Sequence, residues 1–366
     1  MKIQWLGEGL SAVPGVKVGQ VSDPGNRTGV TAVLFDEGAV GGCDVRGGAA
    51  STRQFGSLDA LHVHGRVHGV VFAGGSAFGL EAGTGAARFL EEHGVGLPVL
   101  PGLKVPVVPT AIILDLGAIL GKDGARPDAA MGYAACEDAS NRRVEEGCVG
   151  AGTGAVVGKC MGISRAMKGG VGSAAARLPG GGTVGALVVV NAFGDIVDPA
   201  GGDRIAGVRR GPDTRALSSS LDEIVDRGRL RLYGEPLEQE PESAAPTEST
   251  TLALVATEIP LTRVELTHVA RLAGHGLVRT ISPCHTILDG DLVVSVGTSG
   301  REVICEERLA GAAGSSARVD ASTVGLVAAE VLGRAVLRGV RLARGLPGLP
   351  GLLELDPGKQ RAAGEV

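Results

Sequence analysis

Thr250 and Thr251 stand where the chain changes character, in "PTESTTLALVAT" (246–257). Up to Ser249 the stretch is polar; from Thr250 it reads as a β-strand. A β-branched hydroxyl at a strand start is ordinarily strand-former chemistry. It is also the arrangement of a self-processing hydrolase. There the hydroxyl attacks the carbonyl in front of it and the chain breaks. The freed α-amine has a reference pKa of about 7.7–8.0 and can act as general base for the hydroxyl, so no histidine is required. A loop ending at Ser249, a hydroxyl at Thr250 and a stiff strand behind it supply the parts. On these residues alone the strand-former reading is favoured, and the hydrolase reading needs more.

Other chemistry is thinly represented. No GxSxG elbow and no HExxH pair is present. His62, His64 and His68 in "HVHGRVH" have no acidic or cysteine partner nearby, and a surface turn accounts for them better than a metal site. His285, Asp289 and Asp291 in "HTILDGD" could chelate a cation. A turn before the strand "LVVSVGT" explains the same residues, Asp-Gly being a common turn pair, and no metal is expected. "EEGCVGAGTGAVVG" (145–158) has the glycines of a dinucleotide site, but charged residues precede it where a hydrophobic strand should be. "GKC" lacks the Ser or Thr of a P-loop. "MKGGVGSAAA" (167–176) could line a pocket with backbone N–H groups; from composition it reads as a turn.

The elements that must carry these residues follow from periodicity. "GVTAVLF" (29–35), "VHGVVFA" (67–73), "VGALVVVNAF" (184–193), "TLALVAT" (251–257) and "DLVVSVGT" (291–298) are strands too apolar to leave one face wet. Helices over 76–94, 127–140, 262–277 and 320–340 would cover them. The second is expected to start with Pro127 at its first position, the third with a Thr262–Glu265 capping box, and the fourth with Asp320 as N-cap.

The chain has 366 residues, 44% of them hydrophobic, 2% aromatic and 61 of them glycine, so its core must be built from Val, Leu, Ile and Ala. The net charge of −5, with no basic run, argues against nucleic acid as a partner. The most apolar region, 97–120, is broken by Pro98, Pro101, Lys104, Pro106 and Pro109 and cannot be a regular membrane helix. Scattered cysteines without a CxxC pair and a start lacking an apolar export stretch predict a cytoplasmic protein. The acidic, proline-bearing stretch 234–249 is expected to be a flexible loop. Only 117 residues follow it and they open with a buried-looking strand, so both halves should share one sheet system.

The chain resembles the self-processing L-aminopeptidase/D-esterase family, the β-aminopeptidases, which are relatives of ornithine acetyltransferase. The likeness rests on "VPGVKVGQ" (13–20), "TGVTAVLFDEGAVGGCDVRGGAASTR" (28–53), "FAGGSAFGLEAGTG" (72–85), "EEGCVGAGTGAVVGK" (145–159), "MKGGVGSA" (167–174), "VGALVVVNAFGDIVDP" (184–199), "TTLALVAT" (250–257) and "HTILDGDLVVSVGT" (285–298), in that order. It implies an α+β fold, a four-layer αββα sandwich, formed by residues 1–366 as one domain. It implies autocleavage between Ser249 and Thr250 into 1–249 and 250–366, with 234–249 as the processing loop. Thr250 falls in the nucleophile position, Asn191 in that of the oxyanion donor, and Asp289 and Asp291 beside the nucleophile. Lys168, Gly169 and Gly170 fall in the substrate loop. The substrate implied is a small peptide, amide or ester, with no cofactor, and the assembly a homo-oligomer of processed heterodimers. The chain departs from the pattern in having Thr for Ser as nucleophile, Asp289 for a hydroxyl residue and Cys148 for Asn, and in lacking a tyrosine near the substrate. The implied activity is hydrolysis through acyl-Thr250. Acyl transfer of the ornithine acetyltransferase type, or an unprocessed binding protein on the same scaffold, are the alternatives.

Overall fold

The computed structural model describes residues 3–116, 125–230, 249–299 and 319–353. The loop expected over 234–249 lies outside these residues except for Ser249. Ten strands are joined in one mixed sheet: β1 (Gln4–Leu6), β2 (Val16–Asp23), β3 (Thr28–Val45), β4 (Thr52–Arg53), β5 (Arg66–Ala73), β6 (Thr110–Ile112), β7 (Gly170–Arg177), β8 (Thr183–Asn191), β9 (Thr250–Thr257) and β10 (Leu292–Gly297). Their order is β1-β7-β8-β9-β10-β3-β5-β6-β4, with β2 beside β3. The β9–β10 and β5–β6 pairs are parallel and the other pairs antiparallel. Strand β9 therefore lies between strands from both sides of the expected cleavage point.

β3 is 18 residues long and serves two neighbourhoods. Its first part pairs with β2 and β5, and Val40–Val45 pair with β10. The β3–β5 register shifts between Leu34 and Ala39; beyond it Ala39 and Val40 still pair with β5, while on the other edge β2 gives way to β10. Val33, Phe35, Val70 and Phe72 from the β2–β3–β5 side meet Leu187, Val189, Leu252, Leu254 and Val294 from the β8–β9–β10 side in one buried core.

The opposite faces are covered by helices. Val188, Val190, Ala253, Val255 and Val293 pack against Leu266, Val269, Ala273 and Leu277 of α4 (Arg263–Thr280) and Val324, Ala328 and Leu332 of α5 (Ala321–Arg341). Val30, Ala32, Val71 and Ala73 pack against Ala82, Ala86 and Leu90 of α1 (Ala82–Glu92) and Ala135 and Cys136 of α2 (Ala129–Glu137). Among the described residues the remaining α-helix, α3 (Ser220–Arg227), carries Arg165's partner Glu223. Apolar residues on both faces of the central strands explain their unbroken Val/Leu character. Each fully buried Val or Leu side chain contributes about 1.5–3 kcal/mol relative to exposure.

The caps follow the sequence closely. Thr262 Oγ1 accepts from the Glu265 N–H while the Glu265 carboxylate accepts from the Thr262 N–H, a complete capping box. Asp320 caps α5 through the Thr323 N–H. Three expectations need correction. α2 begins at Ala129 with Asp128, not Pro127, in command of its start: the Asp128 carboxylate accepts from Met131 N–H at 2.8 Å. The segment 167–176, read as a turn, is a two-residue strand followed by β7. His68 is not in a surface turn; it is buried in β5, and its Nδ1 accepts from the Val107 N–H. Among the described residues no helix is long and apolar enough to cross a membrane.

Candidate active site

β9 starts at the point where chemistry was expected. Ser249 and Thr250 are both buried. The Thr250 hydroxyl donates to the Ser249 carbonyl oxygen at 2.6 Å, which sets it beside the carbonyl that precedes it in the chain. The same carbonyl oxygen accepts from the Gly290 N–H at 2.7 Å. A donor on that oxygen is what a tetrahedral intermediate at Ser249 requires, because the oxygen becomes an oxyanion as the hydroxyl adds. Gly290 can approach only because it has no side chain: a Cβ there would lie 2.7 Å from Thr250 Oγ1. Ser249 is held in extended register by its own N–H to the Leu288 carbonyl.

The antiparallel β8–β9 register sets Asn191 directly opposite Thr250. Asn191 is the last residue of β8 and is buried. Its Nδ2 donates to the Leu114 carbonyl at 3.3 Å, and its Oδ1 accepts from the Val156 N–H and the Lys159 ammonium, each at 3.0 Å. Lys159 also donates to the Asn191 carbonyl at 3.0 Å. These bonds fix which end of the amide is oxygen and lock its rotamer. Lys159 is itself only 2% exposed. Buried ammonium groups persist only when paired.

Asp289 and Asp291 flank Gly290, both almost fully buried. Asp289 Oδ2 accepts from the Thr286 N–H at 2.8 Å and hydroxyl at 2.7 Å. Asp291 Oδ1 accepts from the Thr251 N–H at 2.6 Å, and its Oδ2 from both the backbone N–H and the ring Nδ1 of His285 at 3.0 Å each. Burial, and next the charge of Asp291, push the Asp289 carboxyl above the ordinary carboxylate range; the Thr286 hydrogen bonds and the Lys159 charge oppose this. Such a carboxyl can gain and lose a proton near neutral pH, the property a general base or acid needs. The loop behind the pair is closely fitted. Ala49 N–H donates to the Asp289 carbonyl, Arg46 and Gly47 donate to that of Asp291, and a Cβ at Gly47 would stand 2.1 Å from the Asp289 carbonyl oxygen.

Five of the residues singled out from sequence, Asn191, Ser249, Thr250, Asp289 and Asp291, thus converge at one end of β8, β9 and β10. Lys168, Gly169 and Gly170 lie one strand away, where β7 pairs with β8. Lys168 is buried and its ammonium donates to the Thr153 and Ala155 carbonyls at 3.0 and 2.7 Å. Burial pulls its pKa below the usual lysine value. A Cβ on Gly169 would meet the Val190 carbonyl oxygen at 2.0 Å, and one on Gly170 the Gly147 carbonyl oxygen at 2.5 Å, so both glycines permit close backbone packing. Cys148 is half-buried, its thiol donating to the Arg344 carbonyl. Lys159 and Gly290 were not singled out from sequence. A lone lysine inside the apolar run "AVVGKCMG" was the available signal for the first.

Among the described residues one group could hold a metal ion: ligand atoms of Cys284, His285 and Asp291 lie within 4.8 Å of one another. Asp291 already spends both oxygens on Thr251 and His285, and burial followed by the nearby aspartates push the Cys284 thiol well above its ordinary value. The donor set does not favour a resident ion.

Comparison with known proteins places this chain in a family. The model for "Peptidase family S58" matches residues 8–352. The chain is 38% identical over 366 residues to a Mycobacterium tuberculosis protein described as an uncharacterized aminopeptidase, covering 95% of this chain and 98% of that one. It is 31% identical over 333 residues to the 6-aminohexanoate-oligomer endohydrolase of Paenarthrobacter ureafaciens, covering 88% of this chain and 83% of that enzyme. The L-aminopeptidase D-Ala-esterase/amidase of Ochrobactrum anthropi, described as a variant of the Ntn hydrolase fold, superposes with a TM-score of 0.65 at 19% identity, covering 100% of this chain and 97% of that structure.

Proposed function

The chain belongs to peptidase family S58, and from that premise we propose that it is a self-processing N-terminal threonine hydrolase cutting itself between Ser249 and Thr250. The observation that carries this is the Thr250 hydroxyl at 2.6 Å from a Ser249 carbonyl oxygen that also accepts the Gly290 N–H. In the first step Thr250 Oγ bonds to the Ser249 carbonyl carbon and the oxyanion is held by Gly290. Asp289 takes the hydroxyl proton and returns it to the Thr250 nitrogen as the C–N bond breaks. The product is an ester between Ser249 and Thr250 Oγ. Water then hydrolyses that ester, leaving a Ser249 carboxylate and a free Thr250 α-amine.

In the processed enzyme the same oxygen attacks a substrate amide or ester. The α-amine is now the base, Asn191 Nδ2 helps to hold the oxyanion, and Asp289 and Asp291 orient the amine. Acyl-Thr250 forms as the amine or alcohol leaves, and water releases the acid. In this reading the Lys168–Gly170 backbone forms the floor of the substrate site behind Asn191. The three cores are the interfaces of a four-layer αββα sandwich built by 1–249 and 250–366 as one domain. The processed units associate into a homo-oligomer in the cytoplasm, and no cofactor enters any step.

The substrate class is a small peptide or amide. A relative named for 6-aminohexanoate oligomers makes short linear ω-amino acid amides worth testing beside N-terminal amino acid amides. The test is acid-quenched intact-mass analysis during turnover of an ester substrate. An acyl adduct on the fragment that begins at Thr250 is expected. Turnover with an adduct on another residue would sink the proposal. Adding an acceptor amine and measuring transfer product separates hydrolysis from acyl transfer.

A further inference from the structure

We propose that His285 is a positioning residue for self-cleavage, acting through Asp291; this rests on the self-processing reading above. Asp291 is the side chain that ties the head of β9 to the "HTILDGD" turn, its Oδ1 taking the Thr251 N–H at 2.6 Å. The other oxygen is held twice by one residue, through the His285 backbone N–H and ring Nδ1, both at 3.0 Å. Since that oxygen belongs to an acceptor that already receives a backbone N–H, Nδ1 is the donor and the ring proton sits there. His285 Nε2 is buried and has no hydrogen-bond partner among the described residues. A ring with its single proton on Nδ1 leaves only a lone pair unpartnered there, whereas a proton on Nε2 would strand a buried donor.

The backbone gives a second, independent sign. His285 has φ of +58°, in the left-handed region that side chains other than Asn, Asp and His rarely adopt. His285 is also 85% enclosed and Asp291 98%, with side-chain exposures of 15% and 2%. The turn is thus wound so that one residue supplies two donors to one buried oxygen. Freed of the ring, the Asp291 carboxylate can rotate away from Thr251. The short geometry between Thr250 and the Ser249 carbonyl, which depends on where β9 begins relative to Gly290, then loosens. A misplacement of about 1 Å at a reacting centre costs on the order of 100-fold in rate.

The groups of this pocket give a discriminating set of variants. The amide nitrogen of Asn stands at the same distance from the backbone as Nδ1, and Asn tolerates the left-handed backbone. Gln places its nitrogen one bond further out. Gly keeps the backbone and its N–H but has no ring. The experiment follows the first-order conversion of cell-free-translated full-length chain to fragments 1–249 and 250–366, by denaturing electrophoresis. His285→Gly is expected to cut about 10- to 100-fold more slowly than wild type, and His285→Asn within about threefold of it. His285→Gln should resemble His285→Gly. Wild-type rates in His285→Gly, or equal slowing in His285→Asn and His285→Gln, would overturn the proposal. If the glycine variant does not fold, His285→Asp decides: it tolerates the same left-handed backbone as Asn but brings no donor, so it should cut as slowly as expected for glycine, and a rate equal to that of His285→Asn would overturn the proposal. An uncut wild-type chain is a different result: it would remove the self-processing reading itself.

Discussion

A Cβ at Gly290 would stand 2.7 Å from Thr250 Oγ1, the proposed nucleophile. Gly290→Ala should therefore leave the fold intact and slow self-cleavage on the order of 100-fold; time-resolved electrophoresis of fresh precursor checks this. Lys159 makes a second residue-scale prediction. Its ammonium holds both oxygens of Asn191 and draws the Asp289 pKa down. In Lys159→Met the Asp289 pKa rises further, because the opposing positive charge is gone. If ionised Asp289 is the base, the acid limb of the pH–rate profile for self-cleavage moves to higher pH, and the plateau falls by about 100-fold. An unmoved limb would detach Asp289 from the proton transfer. Thr250, Asn191, Asp289 and Asp291 were singled out through the family resemblance, whose motifs contain them; from the residues alone Thr250 read as a strand former and the two aspartates as a turn. Lys159 and Gly290 were not singled out: one acts from inside an apolar run, the other through a backbone N–H that sequence does not display.

At the scale of elements, the Thr262–Glu265 box and the Asp320 cap were read correctly, while the Asp128 cap of α2 was missed in favour of Pro127. The Thr262–Glu265 box is complete, and Thr262→Ala should cost about 1 kcal/mol, measured as a lowered denaturant midpoint at unchanged slope. β7 was missed for a physical reason. "GVGSAAAR" has little β propensity and no bulky apolar face, so its place in the sheet comes from what it lets approach. A Cβ on Gly172 would stand 1.9 Å from the Ala335 carbonyl oxygen and 2.5 Å from the Gly339 nitrogen of α5. Gly172→Val should push α5 off the sheet and destabilise by more than about 3 kcal/mol, seen as loss of soluble protein or a large drop in midpoint. Propensity cannot reveal a strand whose purpose is to be thin. The strands with Val and Leu on both faces were legible because burial on two sides leaves an unbroken apolar run.

Across the whole molecule, β9 is hydrogen-bonded to β8 on one side and β10 on the other, so the halves on either side of Ser249 fold as neighbours. A cut there should leave them associated until denatured. Buried charge adds a pH dependence. Burial raises Asp115 to about 6, against hydrogen bonds from Gly75 N–H and the Thr28 hydroxyl. A carboxyl whose folded pKa exceeds its unfolded value of about 3.9 binds its proton more tightly when folded. That stability is fully present below about pH 4 and lost as pH rises to about 6. In a Thr250→Ala background, the melting temperature of the Asp115 protein minus that of Asp115→Asn should fall by a few degrees over this window and stay level above it. The most direct measurement is the intact mass of purified wild type and Thr250→Ala under denaturing conditions. Two fragments, 1–249 and 250–366, are predicted for wild type and a single inactive chain for the variant. A wild-type chain that hydrolyses amides while remaining one uncut polypeptide would contradict the account.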